Sequence, residues 1–134
     1  MPKKLAIILL MVFVHGCALR SHEAPPEDVD KAAALFFKRL NDAEYETIYK
    51  DAAKKFKQNQ TKEKIIESLK ELTAKGRVQQ YQRVKMTFEG EGADTRADPV
   101  YSTLFEQAKG DIILNFVDES GEWKLIGFAF KQRG

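Results

Sequence analysis

The chain has 134 residues with 22 Lys and Arg, 20 Asp and Glu, two histidines and a single cysteine, for a formal charge of +2. One cysteine excludes an internal disulfide framework. Lys3 and Lys4 account for the whole charge excess, so from Cys17 onward the side chains sum to zero and the basic surface a nucleic-acid binder needs is missing.

In chain order, the first element is MPKKLAIILLMVFVHGC. A basic start is followed by an unbroken apolar run from Leu5 to Val14, then by small residues. These are the three parts of an export signal. The apolar run is shorter than the roughly 20 residues a spanning helix needs. Val14, Gly16 and Cys17 resemble the lipobox of bacterial lipoproteins, with His15 departing from the usual small or apolar residue. The resemblance implies cleavage after Gly16, a diacylglycerol thioether on Cys17 and further acylation of the new amine. It also implies a membrane partner through that lipid. Ala18 stands where aspartate marks inner-membrane retention, which implies the outer membrane where the host has two. Two other readings of this stretch are an ordinary secretory signal with a chance cysteine, and a cytosolic chain with an oily start.

Residues 17–26 read as a tether of small and polar residues ending in Pro25 and Pro26. Its nine residues after the cysteine reach about 30 Å when extended. A single domain is expected over 27–134. Val29, Ala32, Ala33, Phe36, Phe37 and Leu40 recur at helical spacing behind Glu27 and Asp28, so a first helix is predicted. Asn41 and Asp42 are expected to break it and cap a second helix. That helix carries Tyr45, Ile48 and Tyr49 and continues or re-forms through Ala52, Ala53 and Phe56. Thr61 is an N-cap candidate for a third helix with Ile65, Ile66, Leu69 and Leu72 on its stripe, stopped by Gly76.

Beyond Gly76 the apolar period falls to two. Residues 83–89, 100–106, 111–117 and 122–130 are predicted strands, the last two joined by a tight turn at Asp118–Gly121. On the last strand Ile126, Phe128 and Phe130 are expected to face the core, with Trp123, Leu125, Gly127 and Ala129 on the other side. Both faces are partly apolar, so the outer face is a candidate homodimer surface, with a ligand groove and closure of the curved sheet as the other readings. Helices first and strands after predict an α+β fold: three N-terminal helices packed on a curved antiparallel sheet of about four strands.

Two stretches suggest a family for residues 28–132. FFKRLNDAEYETIYKDAAKKFK is a helix, a break and a tyrosine-bearing helix, and GEWKLIGFAFK is a terminal strand with a tryptophan after an acidic glycine turn. Both resemble the nuclear-transport-factor-2-like superfamily of cone-shaped α+β domains, and small exported bacterial proteins that carry this domain. The resemblance implies a pocket between sheet and helices, used by different relatives for isomerase or hydratase chemistry, ligand binding or dimerisation.

The chemistry-bearing inventory is short. His15 lies in the export segment and His22 in the tether, so a histidine triad or a histidine zinc site is excluded from the domain. No phosphate-binding glycine loop is present. Glu89, Glu91, Asp94 and Asp98 cluster without the order of a calcium loop and read as a soluble loop. No cofactor, metal or catalytic set is assigned. Tyr49, Tyr101, Asp111 and Trp123 remain as pocket candidates. The expectation is a lipid-anchored envelope protein with a small non-catalytic binding or scaffolding domain. The alternative is an isomerase or hydratase using an inward carboxylate such as Asp111.

Overall fold

The computed structural model describes residues 26–91 and 95–133. Cys17, the export segment, the tether before Pro26 and Asp94 lie outside them. The fold is α+β, with helices laid on one face of a curled antiparallel sheet. Among the described residues four helices precede the strands: α1 (Pro26–Asn41), α2 (Tyr45–Asp51), α3 (Lys54–Asn59) and α4 (Lys62–Thr73). Six strands follow: β1 (Val78–Lys85), β2 (Phe88–Glu89), β3 (Arg96–Ala97), β4 (Val100–Phe105), β5 (Lys109–Glu119) and β6 (Glu122–Gln132).

Helix α1 buries the predicted stripe, Val29, Ala33, Phe36, Phe37 and Leu40, with Glu27 and Asp28 in its first turn. The break after it is made differently from the expectation. Ala43 takes a left-handed φ of 56°, and Glu44 starts α2 without a side-chain cap. Asn41 is engaged elsewhere: its amide oxygen accepts from the Val78 N–H at 2.8 Å, and its amide nitrogen donates to the Val78 carbonyl at 3.0 Å. Asp42 takes Lys38 at 2.8 Å. The tertiary partner at Val78 satisfies two backbone groups at once, where a cap satisfies one.

Four helices stand where three were expected because Ala52 and Ala53 are both buried and extended. Ala53 donates its N–H to the Leu125 carbonyl at 2.8 Å, which pins the kink to β6. Helix α4 begins as predicted, with the Thr61 hydroxyl accepting from the Lys64 N–H at 3.2 Å. It buries Ile65, Leu69 and Leu72. Gly76 follows at φ 96°, and a Cβ there would meet the Glu106 Cβ at 2.6 Å.

The six strands run along four lines. β1 pairs with β4, β2 with β3, and both β3 and β4 pair with the same side of β5, while β6 pairs with its other side. The expected strand over 83–89 is interrupted at Met86–Thr87, and it starts earlier, at Val78. The facing line is interrupted at Asp98–Pro99, where proline supplies no N–H and its carbonyl accepts from Leu114 at 3.0 Å. These two breaks turn about four strands into six.

One register irregularity decides which side chains of β6 face inward. Asn115 pairs with Gly127 but Phe116 pairs with Leu125, so Ile126 is an extra residue on that strand. A bulge shifts the alternation by one. Leu125 therefore faces the core with Phe128 and Phe130, opposite Phe116, Leu114 and Ile112, and Trp123 joins that side. The expected placement of Trp123 and Leu125 on the outer side is corrected by this bulge. The core closes within residues 26–133: Phe36, Phe37, Leu40, Ile48, Phe56, Ile65 and Leu69 from the helices meet Tyr101, Phe105, Ile112, Leu114 and Phe116.

Candidate functional site

Burial by α1 and β6 leaves a cleft between them of about 250 Å³. Its apolar wall is Phe36 and Leu35 from α1, Ile48 from α2, Phe116 from β5 and Leu125 from β6. Leu35 is 45% exposed, a large apolar side chain that α1 spends on this rim and not on the core. Trp123 lines the same cleft, its ring 6.2 Å from Phe88. The bulge at Ile126 is what brings it there.

The polar rim is made of ion pairs. Arg39 holds Asp51 at 2.9 Å, with the arginine side chain only 21% exposed and its stem against the apolar wall. Lys124 holds Glu122 at 3.2 Å. Each carboxylate at the rim thus has a cation, and the rim carries no net charge from these four groups.

The other sequence candidates lie apart from the cleft. Tyr101 is buried on β4, and its hydroxyl donates to Asp30 of α1 at 2.7 Å. Arg83 of β1 holds the same carboxylate at 3.1 Å. Burial, and then the Asp30 hydrogen bond, push the Tyr101 phenol well above the usual tyrosine range. Phe37 and Tyr81 close around it, Phe37 stacked on Tyr81 at 4.1 Å and edge-on to Tyr101 at 5.6 Å. Tyr101 is therefore a tie between α1 and the sheet. Tyr49 is half-buried on α2 under two ammonium groups, Lys57 at 5.6 Å and Lys62 at 5.8 Å from its ring.

Asp111 does not point into the domain. It pairs with Ser102 and Lys131 across the sheet, on the face away from the helices, and Arg133 holds it at 3.2 Å. The buried neighbours Gly110 and Ile112 occupy the other phase of the strand. The inward carboxylate that the isomerase alternative invoked is thus not supplied by Asp111. Of the four candidates, only Trp123 lines the cleft. Leu35, Arg39 and Asp51 were not singled out from the sequence. Leu35 alone gave a signal, as a leucine outside the periodic stripe of α1.

Among the described residues, no three His, Cys, Asp or Glu side chains come together as a metal-binding group, and no helix is long and apolar enough to cross a membrane. Neither a protein-family model nor a curated protein matches the chain.

Proposed function

We propose that the chain is a lipid-anchored envelope protein, processed before Cys17, whose domain is a non-catalytic binding or scaffolding module of the nuclear-transport-factor-2-like kind. The cleft beside Trp123 is its binding site. The observation that carries the binding reading is the pairing of both rim carboxylates, Asp51 with Arg39 and Glu122 with Lys124 around an apolar wall. Such a slot offers contact area and shape to a ligand, and a general acid or base needs a free group aimed at the substrate. The anchor rests on Val14, Gly16 and Cys17 behind a basic, apolar leader. Two or more acyl chains give stable membrane attachment, which one chain does not.

The scaffolding mode has a surface of its own. Val100, Ile113 and Ala129 form one apolar row across the outer face of the sheet, opposite the helices. A homodimer across that row is the expected self-association. Sedimentation of the wild type against Ile113→Lys tests it, a monomer in both refuting the dimer. Intact-mass measurement of protein extracted from membranes tests the anchor. The expected product starts at Cys17 with acyl mass added, and Cys17→Ser abolishes that mass. A native protein that keeps its first methionine or a free thiol overturns the envelope assignment.

A further inference from the structure

Between α1 and the edge strand β1 lies a second groove, of about 380 Å³, which shares no lining residue with the cleft. Asp30, Lys31 and Ala34 line it from α1, Tyr81 and Arg83 from β1, and Tyr101 from β4. Three- and four-residue spacing puts the α1 residues on one side of that helix. Arg83 is held there differently from the other arginines among the described residues. Its Nε donates to both Asp30 oxygens, at 3.1 and 3.3 Å, and neither terminal nitrogen makes a hydrogen bond among the described residues. Arg39 and Arg77 each spend Nη1, on Asp51 and on the Asn41 carbonyl, while Arg96 and Arg133 each spend Nη2, on Asp98 and on Ser102. The carboxylate that holds Arg83 is itself fixed. Buried Tyr101 donates to Asp30 at 2.7 Å, and Phe37 and Tyr81 pack edge-on to the Tyr101 ring. The guanidinium is thus oriented at Nε and open at the end of its fork. A second cation stands beside it: Lys31 lines the same groove and has no partner among the described residues. Arg83 and Lys31 against Asp30 leave the groove one positive charge. Ala34 and the 40% exposed Tyr81 add apolar surface.

The geometry points to this groove as a site for a small organic monocarboxylate with a flat apolar body. The carboxylate takes the free end of the Arg83 fork and the Lys31 ammonium, and the body lies on Ala34 and Tyr81. A guanidinium fork matches the two oxygens of a carboxylate, and such charge-assisted pairs are stronger than neutral hydrogen bonds. Holding the fork in place beforehand lowers the ordering cost that a mobile arginine brings to binding. One net positive charge balances one carboxylate, whereas a phosphate dianion stays half neutralised. The groove is separate from the cleft beside Trp123, so its fate does not depend on what the cleft binds.

The test uses the full chain, purified in a non-ionic detergent and labelled with heavy nitrogen for NMR, and the probe is benzoate. Millimolar benzoate is expected to give saturable shifts of the Arg83 side-chain Nε–H signal and of the Tyr81 amide. Arg83→Lys keeps the charge and loses the fork, and is expected to weaken binding about tenfold. Lys31→Met changes an exposed side chain and is expected to weaken binding about threefold with an unchanged melting temperature. Benzamide, a neutral molecule of the same shape, is expected not to bind. Inorganic phosphate is expected to bind about fivefold more weakly than benzoate, having no body to set on Ala34 and Tyr81. No saturable shift with benzoate, or equal binding by benzamide, overturns the inference. So does unchanged affinity in either variant, and the Lys31 variant carries the test by itself where Arg83→Lys lowers the melting temperature. Phosphate binding as tightly as benzoate overturns the carboxylate assignment, because a bare anion then suffices.

Discussion

Tyr101→Phe removes one oxygen from a buried ring and leaves the packing against Phe37 and Tyr81 in place. The bond lost is from the phenol to the Asp30 carboxylate at 2.7 Å. Hydrogen bonds to charged groups contribute about 1.5–3 kcal/mol. Asp30 is 39% exposed and keeps Arg83, so water and the guanidinium replace part of the loss. The expected destabilisation is therefore about 1–2 kcal/mol, read as a fall of about 5–10 °C in melting temperature for a domain of this size. The pH dependence sharpens the test. The folded phenol ionises only well above its unfolded value of 10, so its contribution is complete below about pH 10 and is lost as pH rises further. The wild type is expected to lose about 1.4 kcal/mol per pH unit above that point from this residue, and the Phe variant to lack that slope. Urea titrations from pH 7 to 11 on both proteins measure it. A destabilisation below about 0.5 kcal/mol, or the same alkaline slope in both, refutes the reasoning.

Three further changes separate tertiary effects from surface ones. Asn41→Ala strips both hydrogen bonds from the Val78 backbone and is expected to cost about 2 kcal/mol, with faster amide exchange at residue 78. Gly76→Ala meets both a left-handed φ and the Glu106 Cβ, with an expected loss of about 1–2 kcal/mol by thermal melting. Adding Glu106→Ala is expected to leave most of the loss in place, because alanine keeps the Cβ that lies 2.6 Å from the new methyl group and the left-handed φ is unchanged. Lys38→Met removes the hydrogen bond that holds the Asp42 carboxyl below its usual range. Its titration, followed by NMR, is expected to move up in pH with no measurable change in melting temperature, because both groups are on the surface.

A periodic stripe was sufficient for α1 and α4, because each is a helix that buries one face and the spacing of Val29, Ala33, Phe36, Phe37 and Leu40 or of Ile65, Leu69 and Leu72 encodes that face directly. The hairpin turn at Ser120–Gly121 was legible for a similar reason: a tight turn needs positive φ locally, and glycine supplies it. The order of helices before strands, and with it the α+β class, followed from those local signals.

What the chain alone did not state was every feature that depends on a distant partner. Asn41 looks like a cap and becomes a clamp on a strand 37 residues away. The Ala52–Ala53 kink exists because β6 offers the Leu125 carbonyl. Asp111 reads equally well facing in or out, and Arg133 beside it lies on the outer face. The largest difference came from a single extra residue. Strict alternation puts Trp123 and Leu125 on the outer face, but the bulge at Ile126 reverses the phase and carries both to the helix side. Periodicity records which residues are apolar; only the pairing of β5 with β6 decides which way they point, because the side-chain phase of a strand is set by its register with a neighbour. The cleft beside Trp123 is a product of that register.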